Sequence, residues 1–233
     1  MTNYYLGGYY LILQEPVEYW HEEIKIINSA SSCFNNHLLN TWSFSRTADD
    51  HLRIEKIKQL YSIDNETVAS IRNWAVQASS SKRVGWPNVF IDLETLLEFK
   101  NTFFSHLPDL KIFAVYFDET ALGILRSILA PTTDWYPYGL YLNANKRVPE
   151  TSQPDQALMG YDLIGIEDGN FHTFYCHGIS QNLARQFDLE LNQYGLFNDS
   201  NRWKDVLEYI NLENAPVEPV PWLVCKVKRC HNY

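Results

Sequence analysis

The side chains best suited to metal or thiol chemistry form two groups that lie far apart in the sequence. They are His172, Cys176 and His177 in the first group, and Cys225, Cys230 and His231 in the second. On a strand, His172 and Cys176 would face the same way, and a distant Cys and His could complete a tetrahedral zinc site. Neither group has the short loop between paired ligands that structural zinc sites normally show. We therefore expect no metal and interpret these residues as structural.

Cys176 and His177 could also act as a thiol nucleophile beside its base. Sequence neighbours on a strand point to opposite faces of the sheet, which counts against this pairing. A distant base, such as His37 or His106, is the alternative that remains open for thiol catalysis.

Three pairs of carboxylates could serve a glycosidase or a metal-dependent nuclease if two of them met in a cleft. The pairs are Asp92 with Glu94, Asp118 with Glu119, and Glu167 with Asp168. Asp92 and Asp118 stand where helix N-caps belong, and the glutamates after them would complement the helix dipole. We interpret the first two pairs as helix-capping residues and the third as part of an exposed turn.

The sequence contains none of the motifs GxxxxGK[ST], GxGxxG, HExxH, GxSxG or CxxC. The usual sequence support for a phosphate loop, a dinucleotide fold, a zincin site, a hydrolase elbow or a zinc ribbon is therefore missing, and we expect no cofactor. Since many active sites are assembled from scattered residues, a hydrolase with a dispersed site remains an alternative. A structural or regulatory interaction module is another.

The first half of the chain predicts one strand, then two helices, then alternating strands and helices. Residues 3–14 are β-favouring and interrupted by Gly7 and Gly8, which indicates a strand with a bulge. Residues 27–45 are typical of a loop, with a short strand allowed at Thr41–Phe44. Helical spacing then predicts a helix over about Ala48–Tyr61 and a second one from the Asp64 cap to residues 79–81, as an αα-hairpin.

Two apolar runs, 88–91 and 111–117, each end at an aspartate that opens a helical pattern. This β-α-β-α order predicts that the two strands are neighbours in the centre of one sheet, joined by a crossover. The Pro-rich residues 130–156 are the best candidate for a subdomain boundary, and the pattern allows a strand at Tyr138–Leu142.

The last third predicts a β-hairpin, two helices and a closing strand. Tyr161–Ile166 and Phe171–Cys176 flank an Asp-Gly turn, which is a strong hairpin signal. Ile179, Leu183 and Phe187 have helical spacing, a second helix runs from Trp203 to Ile210 after an Asp199/Ser200 cap, and Val220–Lys228 is a strand. Together these patterns predict a single α+β domain over residues 1–233, with helices packed on one mixed sheet.

The net charge of −9 is concentrated in one region. Between Val148 and Val224 there are twelve acidic and three basic residues, so this segment carries the whole excess. A solvated face explains such a segment, and a docking surface for a basic protein is the alternative. Clustered Lys and Arg are lacking, which argues against nucleic acid as the partner.

We expect a cytoplasmic protein without a membrane partner. No stretch is long and apolar enough to span a bilayer, and the first ten residues lack the features of a secretory signal. The four cysteines have no framework-like spacing, which predicts reduced thiols. The sequence does not indicate the oligomeric state.

Residues 160–210 combine an apolar strand before a Gly-containing turn, Phe171-His172-Thr173 at the start of the next strand, a helix, and Asn192–Leu196 leading into a last helix. This order resembles immunity proteins of bacterial polymorphic toxin systems. The resemblance implies a cytoplasmic protein without chemistry of its own, which binds a cognate toxin domain and blocks its active site.

The candidate contact residues come from the acidic segment itself, since many toxin domains that act on nucleic acid are basic. We predict that they are Glu167 and Asp168 at the hairpin tip, Asp188 and Glu190 after the helix, Asp199, and Tyr194 as an aromatic anchor. Trp203 is a further candidate anchor, although its position on the helical stripe favours the core.

Overall fold

The computed structural model describes residues 2–14, 26–31, 39, 51–85, 89–129, 138–152, 155–167, 170–173, 185–188, 191–198, 203–212, 219–231 and 233. The helices are α1 (His51–Tyr61), α2 (Asn65–Ser80), α3 (Leu93–Phe103), α4 (Glu119–Ile128), α5 (Tyr138–Lys146) and α6 (Trp203–Ile210). The strands are β1 (Tyr4–Leu13), β2 (Val84–Gly85), β3 (Val89–Phe90), β4 (Leu110–Asp118), β5 (Gln156–Glu167), β6 (Asn170–Thr173) and β7 (Trp222–Cys230). A 3-10 turn covers Glu150–Ser152.

All of these strands belong to one sheet with the order β2-β3-β1-β4-β7-β5-β6. The predicted α+β class, with helices packed on a single sheet, is confirmed. Every pairing between these strands is antiparallel, so the sheet is not mixed in strand direction. The expectation that the strands around 88–91 and 111–117 are neighbours is wrong, because β1 lies between β3 and β4. A crossover through α3 requires β3 and β4 to run the same way, but it does not require them to be adjacent.

The bulge predicted at Gly7 and Gly8 is confirmed. The pairing of β1 with β4 shifts register between Leu6 and Gly8. Gly8 has a φ of 154°, and a Cβ added there would collide with the side chain of Val89. Asn143 of α5 donates a hydrogen bond of 3.0 Å to the carbonyl of Gly7, which ties α5 to the bulge.

The predicted helix caps are confirmed at three positions. The side chains of Asp64, Asp92 and Asp118 each accept a hydrogen bond of 2.8 Å from the backbone N–H three residues further on. Two of these aspartates, Asp92 and Asp118, belong to the carboxylate pairs considered for catalysis. Their side chains are engaged in starting α3 and α4, which accounts for their position after apolar strands.

The helices divide between the two faces of the sheet. Side chains alternate along β7, so Trp222 and Cys230 point to one face and Leu223 and Val227 to the other. Trp222 packs with α6, whereas Cys230 belongs to the core beneath α1, α2 and α3. Helices α1, α2, α3 and α6 therefore cover the same face of the sheet, which we call the front face. Helices α4 and α5 cover the other face, which we call the back face, and they share its core with Leu223 and Val227.

The strand that the pattern allowed at Tyr138–Leu142 is wrong, because these residues belong to α5. Leu140 and Ala144 are both buried in the back-face core, and their four-residue spacing is that of a helix. The aromatic residues around them favour β-strands, so the sequence pattern did not reveal this short helical stripe. Residues 130–137, the first part of the predicted subdomain boundary, lie outside the described residues.

Most of the remaining predicted elements are confirmed within the described residues. The first helix begins by His51 and the second spans Asn65–Ser80, with residues 62–64 between them. The hairpin is formed by β5 and β6, in which Glu167 pairs with Asn170. The closing strand is β7, two residues further on than predicted. The strand at 41–44, the Asp199/Ser200 cap and most of the helix around Ile179 and Leu183 fall outside the described residues, and the single-domain assignment stays a prediction.

Candidate functional site

Helix α6 lies on the front face with a strongly two-sided pattern. Val206 and Ile210, four residues apart, are buried against Leu163 and Trp222 of the sheet. The opposite side of the helix exposes Lys204, Asp205 and Glu208. The fold therefore uses the apolar stripe of α6 and leaves its charged side facing solvent.

A second segment brings another carboxylate to this helix. The ring of Phe187 meets the ring of Tyr209 edge-on, with centroids 5.5 Å apart. Asp188 is exposed and directly follows Phe187, while Glu208 directly precedes Tyr209. This contact holds the segment that carries Asp188 beside the last turn of α6.

We call this region the α6 surface and define it by its exposed side chains. Its charged side chains are Arg185, Asp188, Lys204, Asp205 and Glu208, and just beyond the helix lies Leu212, which is 61% exposed. Lys204 lies 3.9 Å from Glu208, but both side chains are largely exposed, so this ion pair contributes little to folding. Three carboxylates against two cations, Arg185 and Lys204, leave the described surface with a small acidic excess and an apolar side chain at its border.

The structure separates the two predicted contact residues that it describes fully. Phe187, the neighbour of Asp188, packs with the front-face core around α6, while Asp188 itself is exposed. Tyr194 is half-buried and packs against the back-face core, where its carbonyl accepts a hydrogen bond of 3.1 Å from the backbone N–H of Asn28. A partner that covers α6 would thus meet Asp188 from the front, whereas Tyr194 belongs to the other side of the sheet.

The other predicted contact residues are described in part or not at all. The backbone of Glu167 ends β5, paired with Asn170, but its side chain is outside the described set. Asp168, Glu190 and Asp199 also lie outside the described residues. Trp203 begins α6, and its side chain is likewise not among those described.

Two acidic residues of the same third of the chain are withdrawn from the surface. Asp162 is completely buried on the back face, where its Oδ1 accepts a hydrogen bond of 3.1 Å from Thr173 Oγ1. Burial raises the pKa of this carboxyl to about 6, even though hydrogen bonds from Ser29 and Thr173 favour its ionised form. The sequence count of acidic residues therefore overstates the charge available to a partner.

Glu150 is the second of these residues, and it is neutralised by neighbours. Its carboxylate lies 2.7 Å from Lys226 Nζ and 2.9 Å from Lys228 Nζ, two front-face lysines of β7. Burial opposes ionisation of Glu150, but the two ammonium groups outweigh it and hold the pKa of Glu150 below its usual range. The 3-10 turn is thereby fastened to the sheet.

The cysteines that are described do not converge on a common point. Cys225 points to the back face and Cys230 to the front face, because they are five residues apart on β7. Burial raises the pKa of both thiols, that of Cys230 to about 12, so neither is a ready nucleophile. Within the described residues, no three histidine, cysteine or acidic side chains are grouped as a metal site would require. Cys176, His177 and His37 lie outside this part of the chain.

His106, considered as a distant base, is exposed near the end of α3. Its Nε2 lies 3.0 Å from the carbonyl of Tyr61 at the end of α1. This contact links two helix ends. Asp205 and Glu208 are not among the predicted contact residues, although the α6 stripe in the sequence places them on the side opposite to Val206 and Ile210.

Comparison with known proteins found no family model, no curated protein and no solved structure that matches this chain. The resemblance of residues 160–210 to immunity proteins thus stays a prediction. Among the described residues, no helix has the length and apolar character that crossing a membrane requires.

Proposed function

We propose that this protein is a non-enzymatic binding protein of the immunity type, which neutralises a basic toxin domain through the α6 surface. The observation that carries the proposal is the exposed side of α6 and its neighbour Asp188, where three carboxylates stand against two cations, Arg185 and Lys204. None of these exposed side chains is needed for the packing of α6, since Val206 and Ile210 supply that contact.

Acidic side chains in this arrangement suit a partner that has evolved to hold nucleic acid. Carboxylates can take the positions that phosphates would occupy in a basic cleft, and their field raises the rate of encounter. Leu212 adds an exposed apolar side chain at the border of the charged patch, where a partner could exclude water from it.

The proposal is tested with the toxin domain that an adjacent reading frame would encode. Cells producing that domain should recover growth when this chain is co-expressed, and the two proteins should purify together. The double variant Asp205→Lys/Glu208→Lys should lose both effects, because it reverses the charge of the α6 surface. A toxin domain that neither binds this chain nor is neutralised by it would contradict the proposal.

A matched control distinguishes the effect of where the charge lies from the effect of the net charge of the protein. Glu94→Lys/Asp109→Lys changes the net charge by the same amount and, like the test variant, replaces one carboxylate in the first turn of a helix. Glu94 is exposed in the first turn of α3 and Asp109 is exposed directly before β4, and α3 packs in a different core cluster from α6. This control should still protect cells, and an equal loss of protection would mean that the location of the charge does not matter.

A further inference from the structure

The ends of three helices line an open cleft of about 770 Å³ on the front-face side of the molecule. It lies between the end of α1, the turn that leads into α2, and the last turn of α3. Its volume is within the range of ligand-binding pockets in proteins. Neither the α6 surface nor any residue predicted as a contact lines it.

The walls of the cleft are held together by direct contacts. His106, which follows α3, bonds through Nε2 to the carbonyl of Tyr61 at 3.0 Å. The ring of Tyr61 also meets the ring of Phe104 edge-on at 5.5 Å, which joins the same two helix ends below the cleft. A guest therefore meets a preformed shape, which lowers the entropic cost of binding.

The rim of the cleft has an excess of negative charge. Glu55, Asp64 and Glu66 contribute carboxylates, whereas Lys58 contributes the one ammonium group among the lining residues. Lys58 is already bonded to Glu55, with 2.8 Å between Nζ and Oε1. Asp64 accepts the backbone N–H of Thr67, which lowers the pKa of Asp64 and keeps it ionised. The charges of Asp64 and Glu66 are thus left for a cation.

The cleft also offers an apolar surface and neutral hydrogen-bond acceptors. Phe103 and Ile63 are half-buried lining residues, so part of each side chain remains accessible to a guest. Thr67 and Thr102 place hydroxyl groups beside them. A ring, hydroxyl groups and carboxylates within one cleft match a planar cation better than they match an anion or an apolar ligand.

We propose that this cleft receives the guanidinium group of an arginine side chain from a basic protein partner. The source of the arginine rests on the proposed function, but the chemistry of the cleft does not. Guanidinium combines a flat face that can stack on Phe103 with five N–H donors for acceptors spread around the rim. A lysine ammonium would satisfy fewer of these acceptors at once. Because α1–α3 and α6 cover the same face of the sheet, one partner can reach both regions from that side.

The cleft can be tested with a small probe, independently of any partner. N-acetyl-arginine N-methylamide is titrated into the isotope-labelled protein while the NMR signals of Thr67, Thr102 and His106 are followed. We expect saturable shifts confined to the cleft, with a Kd of about 1 mM, as suits a ligand of this size. The matched citrulline compound lacks the charge and should bind at least about fivefold more weakly. Shifts that do not saturate by about 20 mM, or equal shifts with citrulline, would overturn the proposal.

Variants assign the binding to particular residues. Glu66→Gln should weaken binding of the arginine probe about two- to fivefold, because an exposed charge pair is lost. Glu94→Gln, a first-turn glutamate of α3 outside the lining residues, is the matched control and should leave the Kd unchanged. Equal effects of the two variants would mean that the probe binds through general charge attraction, and would overturn the proposal that the cleft binds it. Failure here would leave the test of the α6 surface unaffected, since that test uses neither the probe nor any residue that lines the cleft.

Discussion

Asp162 and the carboxylates of the α6 surface belong to the same acidic third of the chain but differ in almost every physical respect. Asp162 is completely buried on the back face and holds Thr173. Asp205 and Glu208 are exposed on the front face, on a helix that packs through other side chains. A regional count of acidic residues therefore combines carboxylates that are buried in the fold with carboxylates that are exposed where a partner can meet them.

The largest expected effect is a pH-dependent change in the free energy of unfolding, which we expect for the buried carboxyl of Asp162 and not for the exposed carboxylates of α6. The folded state raises the pKa of Asp162 from 3.8 to about 6, so it binds this proton more tightly than the unfolded chain does. Stability from this residue is therefore greatest below pH 4 and falls as the pH rises to 6, by about 3 kcal/mol. Asp162→Asn removes the ionisable group, so the variant should gain on the wild-type protein by about 2 kcal/mol between pH 4 and pH 7, since part of the effect already occurs below pH 4.

Urea unfolding of both proteins at the two pH values measures this gain. The difference between the variant and the wild-type protein is the relevant quantity, because it cancels the titration of all other carboxylates. An equal difference at both pH values would show that Asp162 is not held in the unfavourable charged form, and the contrast with α6 would fail.

A smaller effect is expected at Glu150, which holds two lysines. Glu150→Gln leaves Lys226 and Lys228 without their carboxylate while they are only 13% and 17% exposed, so we expect a loss of about 1–2 kcal/mol at pH 7. Because the pKa of Glu150 is lowered in the folded state, the wild-type advantage should disappear as the pH falls below its usual range.

Glu119 provides the matched control for Glu150. It also contacts two cations, Arg126 and Arg147, but is 51% exposed. Glu119→Gln should cost less than about 1 kcal/mol of unfolding free energy, because solvent screens an exposed ion pair. Equal losses in the two variants would mean that burial does not decide the strength of these contacts.

These differences mark the limit of what could be predicted from the sequence. The caps at Asp64, Asp92 and Asp118 were predictable, because an N-cap depends on its own helix and on no distant residue. The stripe of α6 was predictable for the same reason, as was the β5–β6 hairpin. Each of these patterns is local.

The burial of Asp162 and the position of β1 could not be predicted in this way. Asp162 is buried because β5 pairs with β7 and residues 26–31 cover it, and both contacts join distant parts of the chain. The position of β1 between β3 and β4 was not predictable either, because a β-favouring pattern indicates a strand but not its neighbours in the sheet. The position of the Asp188 segment beside α6 was likewise not predictable, because it depends on the contact between Phe187 and Tyr209.

The smallest expected effect on folding is that of the α6 surface itself. The triple variant Asp188→Asn/Asp205→Asn/Glu208→Gln should change the free energy of unfolding by less than about 1 kcal/mol, because these side chains lie outside the core. Asparagine also suits the positive φ of 51° at Asp188. A loss comparable to that expected at Asp162 would show that these carboxylates serve the fold and would remove the contrast between the two regions.

Whether the α6 surface attracts a basic toxin domain is tested most directly by association rate constants, measured by stopped flow at about 50 and 500 mM salt. Asp205→Lys/Glu208→Lys should slow association at least about tenfold at low salt and flatten the salt dependence, whereas Glu94→Lys/Asp109→Lys should stay close to the wild-type protein. Equal rates for the two double variants at low salt would contradict a role for the α6 surface in binding.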